Sequence, residues 1–247
     1  AGAAVTTGVN NTIIGGLAGD ALTDADANVA LGAFALGADT LGSKSVAIGD
    51  SALATQNFTT ATDSHNVAVG FSAGNDITTG IQNVFIGALA GDALTDADFN
   101  TAVGYGALSS DTLGNRNVAV GTNALATQNF TTATNAYNTA VGESAGVSIT
   151  TGAQNDLFGG LAGDALTDAD FNVALGFATL SADTLGSRST AVGHSALATQ
   201  NFTTATDTYN TAVGFYAGVA VTTGIHNTLI GALAGDALTD ADYNVAV

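Results

Sequence analysis

The chain has 247 residues and a net charge of −18, from 21 acids against 3 bases. It contains 32 Gly, no Pro, Cys, Met or Trp, and 46% hydrophobic residues, many of them Ala. That charge excludes a nucleic-acid backbone as partner and disfavours an anionic membrane surface. The fixed recurrence of Val, Ile, Leu and Phe excludes disorder, while the scarcity of large side chains excludes a thick globular core. No apolar run approaches the ~20 residues that span a bilayer. The absence of Cys leaves the redox compartment open.

In chain order, residues 1–10 match the segment Ala217–His226 and read as the end of a preceding unit. From Asn11 onward a 72-residue unit repeats. GDALTDAD stands at 19–26, 91–98, 163–170 and 235–242, and LATQNFTTAT at 53–62, 125–134 and 197–206. The units are 11–82, 83–154, 155–226 and a partial 227–247, one repeat array over 1–247. Both ends fall inside a coil and the chain does not start with Met, so the array is expected to extend beyond this segment.

A finer period lies inside each unit. An Asn/Ser-x-x-x-Gly segment begins at Asn11, Asn28, Ser45 and Asn66, then at Asn83, and so on to Asn244, with spacings of 17, 17, 21 and 17. Near-constant spacing is what a solenoid needs, because each turn must return above its own start. The triplets Val29-Ala30-Leu31, Val46-Ala47-Ile48 and Thr101-Ala102-Val103 are each closed by Gly and followed by Gly, Asn, Asp and Thr clusters. They read as short strands with return loops. Apolar spacing for a helix is missing. The fold expected is all-β, a parallel β-roll or β-solenoid of about fourteen coils of 17 or 21 residues.

Side chains of a strand alternate faces. The third triplet position is always Val, Ile, Leu or Phe, which assigns it to the coil interior. The middle position is Ala in ten of fourteen coils, and otherwise Ile13, Phe85, Leu157 or Leu229. A position restricted to a small residue suggests close approach of another backbone, so the Ala row is expected to face a partner chain. Lys at Ala102 and Ala119 is then expected to split or unfold the fibre.

These residues carry a resemblance. The patterns NVAVG-x-x-A-G and SVAIG-x-x-A-L resemble the YadA-like head repeats of trimeric autotransporter adhesins, and are similar to repeats of phage tail fibres and marine surface proteins. The resemblance covers essentially the whole chain. It implies left-handed parallel β-rolls wound as a homotrimer, with the Ala-rich face towards the axis. It also implies an extracellular, cell-surface structural and adhesive fibre that engages a host cell, a matrix or a neighbouring cell. The alternative is the shaft of a phage or tailocin tail fibre.

No catalytic, cofactor-binding or metal-binding residue is assigned, and an enzyme is not expected. His65 matches Tyr137 and Tyr209, His194 matches Asp50 and Thr122, and His226 matches Asn10, Gln82 and Gln154. Because none is held across the units, they read as exposed variation rather than a triad or metal site. The acids Asp20, Asp24 and Asp26 and their repeats read as caps of backbone N–H groups; calcium is the other reading. Asn57, Asn129 and Asn201 begin N-x-Thr sequons, and Phe58 beside the first is expected to fold back on the roll. Thr60-Ala61-Thr62 resembles the Thr-x-Thr pair of ice-binding solenoids but comes once in four coils. Lys44, Arg116 and Arg188 stand five residues after Asp39, Asp111 and Asp183, which suggests a loop ion pair.

Overall fold

The computed structural model describes every residue from Ala1 to Val247. The chain is an all-β parallel solenoid with fourteen principal strands, one per turn, spaced as the sequence period requires. It divides into two compact units. One is Ala1–Asn117 with Asn129–Asn135, and the other is Val118–Gln128 with Ala136–Val247.

In the first unit the strands Thr12–Ile14, Val29–Leu31, Val46–Ile48, Val67–Val69, Val84–Ile86 and Thr101–Val103 stack in parallel and in register. In the second the stack runs from Val118–Val120 through Asp156–Phe158 and Thr190–Val192 to Val245–Ala246, with the same register. Two-residue parallel pairs accompany each long coil, such as Gly42–Ser43 with Thr62–Asp63.

The repeated Asn sets the turn. Asn28 donates its backbone N–H to Asn11 Oδ1 at 2.9 Å, and Asn28 Oδ1 accepts from Ser45 N at 2.8 Å. The Asn28 Nδ2 donates to the carbonyl of Gly42, fourteen residues on. Asn83 and Asn100 repeat the same three bonds. Asn155 and Asn172 do so in the second unit. One buried side chain thus closes its own turn and holds the next, and its polar atoms find partners inside the protein.

Gly closes each strand for two reasons. Gly49 has φ +136°, a region open essentially to Gly. A β-carbon there would also lie 2.2 Å from the carbonyl oxygen of Gly70 in the next turn.

The two faces of the strand are the reverse of the sequence-based assignment. The middle residues Ala30, Ala47, Ala68, Phe85 and Ala102 are fully buried inside the coil, whereas Ile14, Leu31 and Ile86 in the third position are 59%, 42% and 41% exposed. Ala is small because the coil is thin and its own opposite wall stands close, with no partner chain needed. Two fillings of the interior alternate. Where the strand carries Ala30, the leucine of the following corner, Leu36, fills the space and is fully buried. Where the strand carries Phe85, that corner is Gly91, and a β-carbon there would come 2.5 Å from the ring. Gly74 in the preceding turn makes the same room, also at 2.5 Å. Leu157 and Leu229 sit between Gly146 and Gly163, and between Gly218 and Gly235, in the same way.

The four-residue extension, present in one coil of every four, folds inward, as expected for its aromatic residue: Phe58, Phe130 and Phe202 are 5%, 7% and 6% exposed. Where that coil starts at Ser45 instead of Asn, Gln56 takes over the bridging. Gln56 Nε2 donates to Asp39 Oδ2 and Ser45 Oγ, and its Oε1 accepts from Asn66 Nδ2. Gln200 does the same with Asp183, Ser189 and Asn210.

The exchange between Phe85 and Gly91 is testable by a double-mutant cycle. Phe85→Ala alone is expected to cost about 3–5 kcal/mol through its cavity. Gly91→Leu alone is expected to destabilise by clash with the ring. Together they reproduce the Ala30–Leu36 filling, so urea unfolding should show a favourable coupling above about 1 kcal/mol. Simple additivity would show that the two positions do not share one space.

Candidate functional surface

Three strips of side chains reach solvent. The broadest is the outer face of the main sheet. In the first unit, Ile14, Leu31, Ile48, Val69, Ile86 and Val103 lie side by side in register, flanked by Thr12, Val29, Val46, Val67, Val84 and Thr101. In the second, Val141, Phe158, Leu175, Val192 and Val213 form the equivalent row. Leu175 is 48% and Phe158 39% exposed. A β-sheet face of stacked Val, Ile and Leu open to water is an apolar patch of the kind that marks an interaction surface.

The second strip lies on the corner after the closing Gly. Phe71, Tyr105, Phe177 and Phe215 are each more than half exposed. Here His194 meets the rings of Phe177, Phe215 and Tyr216 at 5.4–5.6 Å between centroids. Its Nδ1 is 3.0 Å from Ser195 Oγ, a neighbour in sequence. Rings rather than a carboxylate surround the imidazole, so nothing orients a Ser-His pair for nucleophilic attack.

The third strip is the residue immediately before each Asn or Ser of the ladder. Every one of these positions is in the left-handed conformation, with φ between 50° and 64°. Lys44, Arg116 and Arg188 stand here, and so do His65 and His226. The guanidinium of Arg188 lies 4.6 Å from the Phe171 ring and 6.0 Å from that of Tyr209. His226 is stacked between Tyr209 at 5.1 Å and Tyr243 at 4.8 Å. Residue-by-residue reading of the sequence missed this column; aligning the residue before each ladder position would have shown it.

The bases pair differently from expectation. Lys44 Nζ contacts Asp63 at 2.6 Å and Arg188 Nε contacts Asp207 at 3.0 Å. Arg116 Nε donates to Asn135. Asp39, five residues before Lys44, is buried and accepts from the backbone N–H groups of Gly42 and Phe58 and from Gln56. Burial raises its carboxyl above the ordinary value, and those hydrogen bonds work against the rise. A buried carboxylate with three donors is a structural clamp rather than the partner of an exposed lysine. The exposed pairs stabilise little.

The acid clusters reach to the preceding turn, as capping requires. Asp26 accepts from Val9 N at 2.7 Å, Asp96 from Thr79 Oγ1 at 2.6 Å and Asp98 from Ile81 N at 2.8 Å. Asp168 and Asp170 do the same with Thr151 and Ala153. No three His, Asp or Glu side chains converge as a metal site needs. Asp92 and Asp164 each keep a buried carboxyl oxygen without a hydrogen bond. The sequon residue Asn57 is exposed, and its Oδ1 accepts from Thr40 Oγ1. Thr62 turns its hydroxyl back to the carbonyl of Thr60.

No protein-family model matches the chain, and neither a curated protein nor a solved structure resembles it beyond chance.

The unpartnered carboxyl oxygens give a pH prediction. Burial raises the Asp92 carboxyl, and the nearby Asp76 charge raises it further. Burial does the same to Asp164. A carboxyl whose folded value lies above its unfolded one contributes stability below the ordinary carboxylate range and loses it as pH rises through the folded value. Asp92→Asn with Asp164→Asn is therefore expected to raise the melting temperature at pH 7, with the gain vanishing near pH 3. An equal gain at both values would assign the effect to something other than ionisation.

Proposed function

We propose that the chain is a segment of an extracellular structural and adhesive fibre whose copies associate through the outer face of the main sheet, as a homotrimer of left-handed rolls. The observation that carries this reading is the exposed row typified by Leu31, Ile86, Phe158 and Leu175. An apolar sheet face repeated turn after turn suits burial against a like face, since packed sheets interdigitate such side chains about 10 Å apart. Trimeric order, handedness and the cell-surface setting come from the resemblance to adhesin head repeats. The reading assigns the segment no catalysis. Its function is to present a repeating surface on a scaffold held by backbone bonds between neighbouring turns. The net charge of −18 keeps assembled fibres apart and soluble.

This version of the assembly differs from one that uses the Ala row, and the two are separable. Light scattering of the purified chain should give three times its 24.0 kDa mass. Val141→Lys with Val213→Lys, on the outer face, should give monomers that keep the β-sheet circular dichroism signal. Ala140→Lys, in the interior, should unfold the chain, because a charge would enter a coil with no space or partner. A monomeric wild type, or a trimer that survives both outer lysines, would remove the proposal.

A further inference from the structure

The column before the Asn ladder holds residues that its backbone does not favour. The left-handed conformation costs a non-glycine residue about 1–2 kcal/mol, with Gly and Asn the usual occupants. Of the fourteen positions only Asn10 follows that preference. Local conformation does not account for the side chains there.

Their chemistry is selective. In a chain with 21 acids, this column contains none, yet it contains all three Lys and Arg residues and two of the three His. In the second unit hydrogen-bonding planar groups alternate with rings, in the order Gln154, Phe171, Arg188, Tyr209, His226, Tyr243. The successive backbones are bonded turn to turn, Arg188 N to Asp170 O, His226 N to Thr208 O and Tyr243 N to Ile225 O. The side chains are open to water: Phe171, Tyr209 and Tyr243 are 42%, 49% and 72% exposed.

The rings turn their faces to one another and their edges outward. Ring edges are electropositive, and amide, guanidinium, imidazole and phenol groups between them donate hydrogen bonds. The column itself carries donors and no carboxylate, with Asp63 and Asp207 beside it and Tyr209 Oη 3.4 Å from Asp207, and its remaining donors fit a ligand made of hydroxyl and ether oxygens. Arg188 and Lys44 already neutralise Asp207 and Asp63, and the whole chain repels anions, so the fitting ligand is uncharged. Parallel strands advance about 4.8 Å per turn, close to the advance of one pyranose ring in an extended β-linked chain.

We propose that, in the second unit, this column is a binding track for an extended, uncharged β-linked polysaccharide lying along the stack, about one sugar ring per turn. The assignment does not depend on whether the chain is a monomer or a trimer.

Retention of the assembled protein on insoluble cellulose and chitin tests it, with alginate as an anionic control. The wild type is expected to be held by at least one of the two neutral polymers and not by alginate. Tyr209→Ala with His226→Ala should weaken retention about tenfold, two ring contacts of about 0.5–1.5 kcal/mol each being lost. Phe71→Ala, an exposed ring outside the column, should leave it unchanged. Gln154→Glu, which keeps every ring and adds one carboxylate, should also weaken it and serves if the double variant does not fold. No retention of the wild type on either neutral polymer, a preference for alginate, or equal retention of the column variants would each overturn the proposal. Loss of melting temperature without loss of retention would show the stack to be a stabilising device only.

Discussion

The structure depends on a buried amide that serves two turns at once. Ladder residues such as Asn28, Asn83 and Asn100 accept the N–H that starts the following strand and donate to the carbonyl that ends their own turn. Leaving one such group unpaired in the interior costs about 1–3 kcal/mol, so the amide fixes both contour and pitch. A turn with its closing carbonyl fourteen residues after the Asn has little freedom to be other than 17 residues long. The longer coil starts with Ser at Ser45 and Ser189, where Gln56 or Gln200 supplies the bonds from another direction, but with Asn at Asn117, where Gln128 likewise bridges to Asn138. What all three longer coils share is a Gln eleven residues after the ladder position, Gln56, Gln128 and Gln200.

Within that contour the interior tolerates variety as long as volume is conserved. The pairs Ala30 with Leu36 and Phe85 with Gly91 fill similar space from opposite sides of the coil. Such compensation keeps packing near the density of other protein interiors. It also explains why the large middle residues recur at one place per unit: they must sit where two successive turns both carry Gly at the corner.

Much of this was legible in the sequence, and the parts that were not share one cause. The 17, 17, 21, 17 spacing gave the strands, their parallel stacking and the number of turns, and the inward fold of Phe58 followed from its aromatic character. The assignment of faces was inverted. Alternation says which residues share a face and not which face is inside, and the usual guide, large apolar residues within, fails in a coil too thin to hold two rows of them. Ala30 is interior because space is short there, and Leu31 is outside although it is greasy. Likewise the proximity of Asp39 to Lys44 along the chain did not predict pairing, since burial of Asp39 follows from the path of the extension that covers it. The column of Arg188, Tyr209 and His226 shows in the sequence only when the coils are aligned on their ladder residue.

The Gln-bridged coil has a practical consequence. Gln56 closes the polar spine before the chain leaves on its excursion through Thr59, Thr60 and Ala61, all of them exposed. The spine is therefore indifferent to how far the excursion travels. Foreign peptide spliced at Thr60 would leave from and return to a frame already complete, and Thr132 and Thr204 offer the same opening in later units. The protein is in this sense a graduated display rack, with attachment points written into it at intervals of 72 residues.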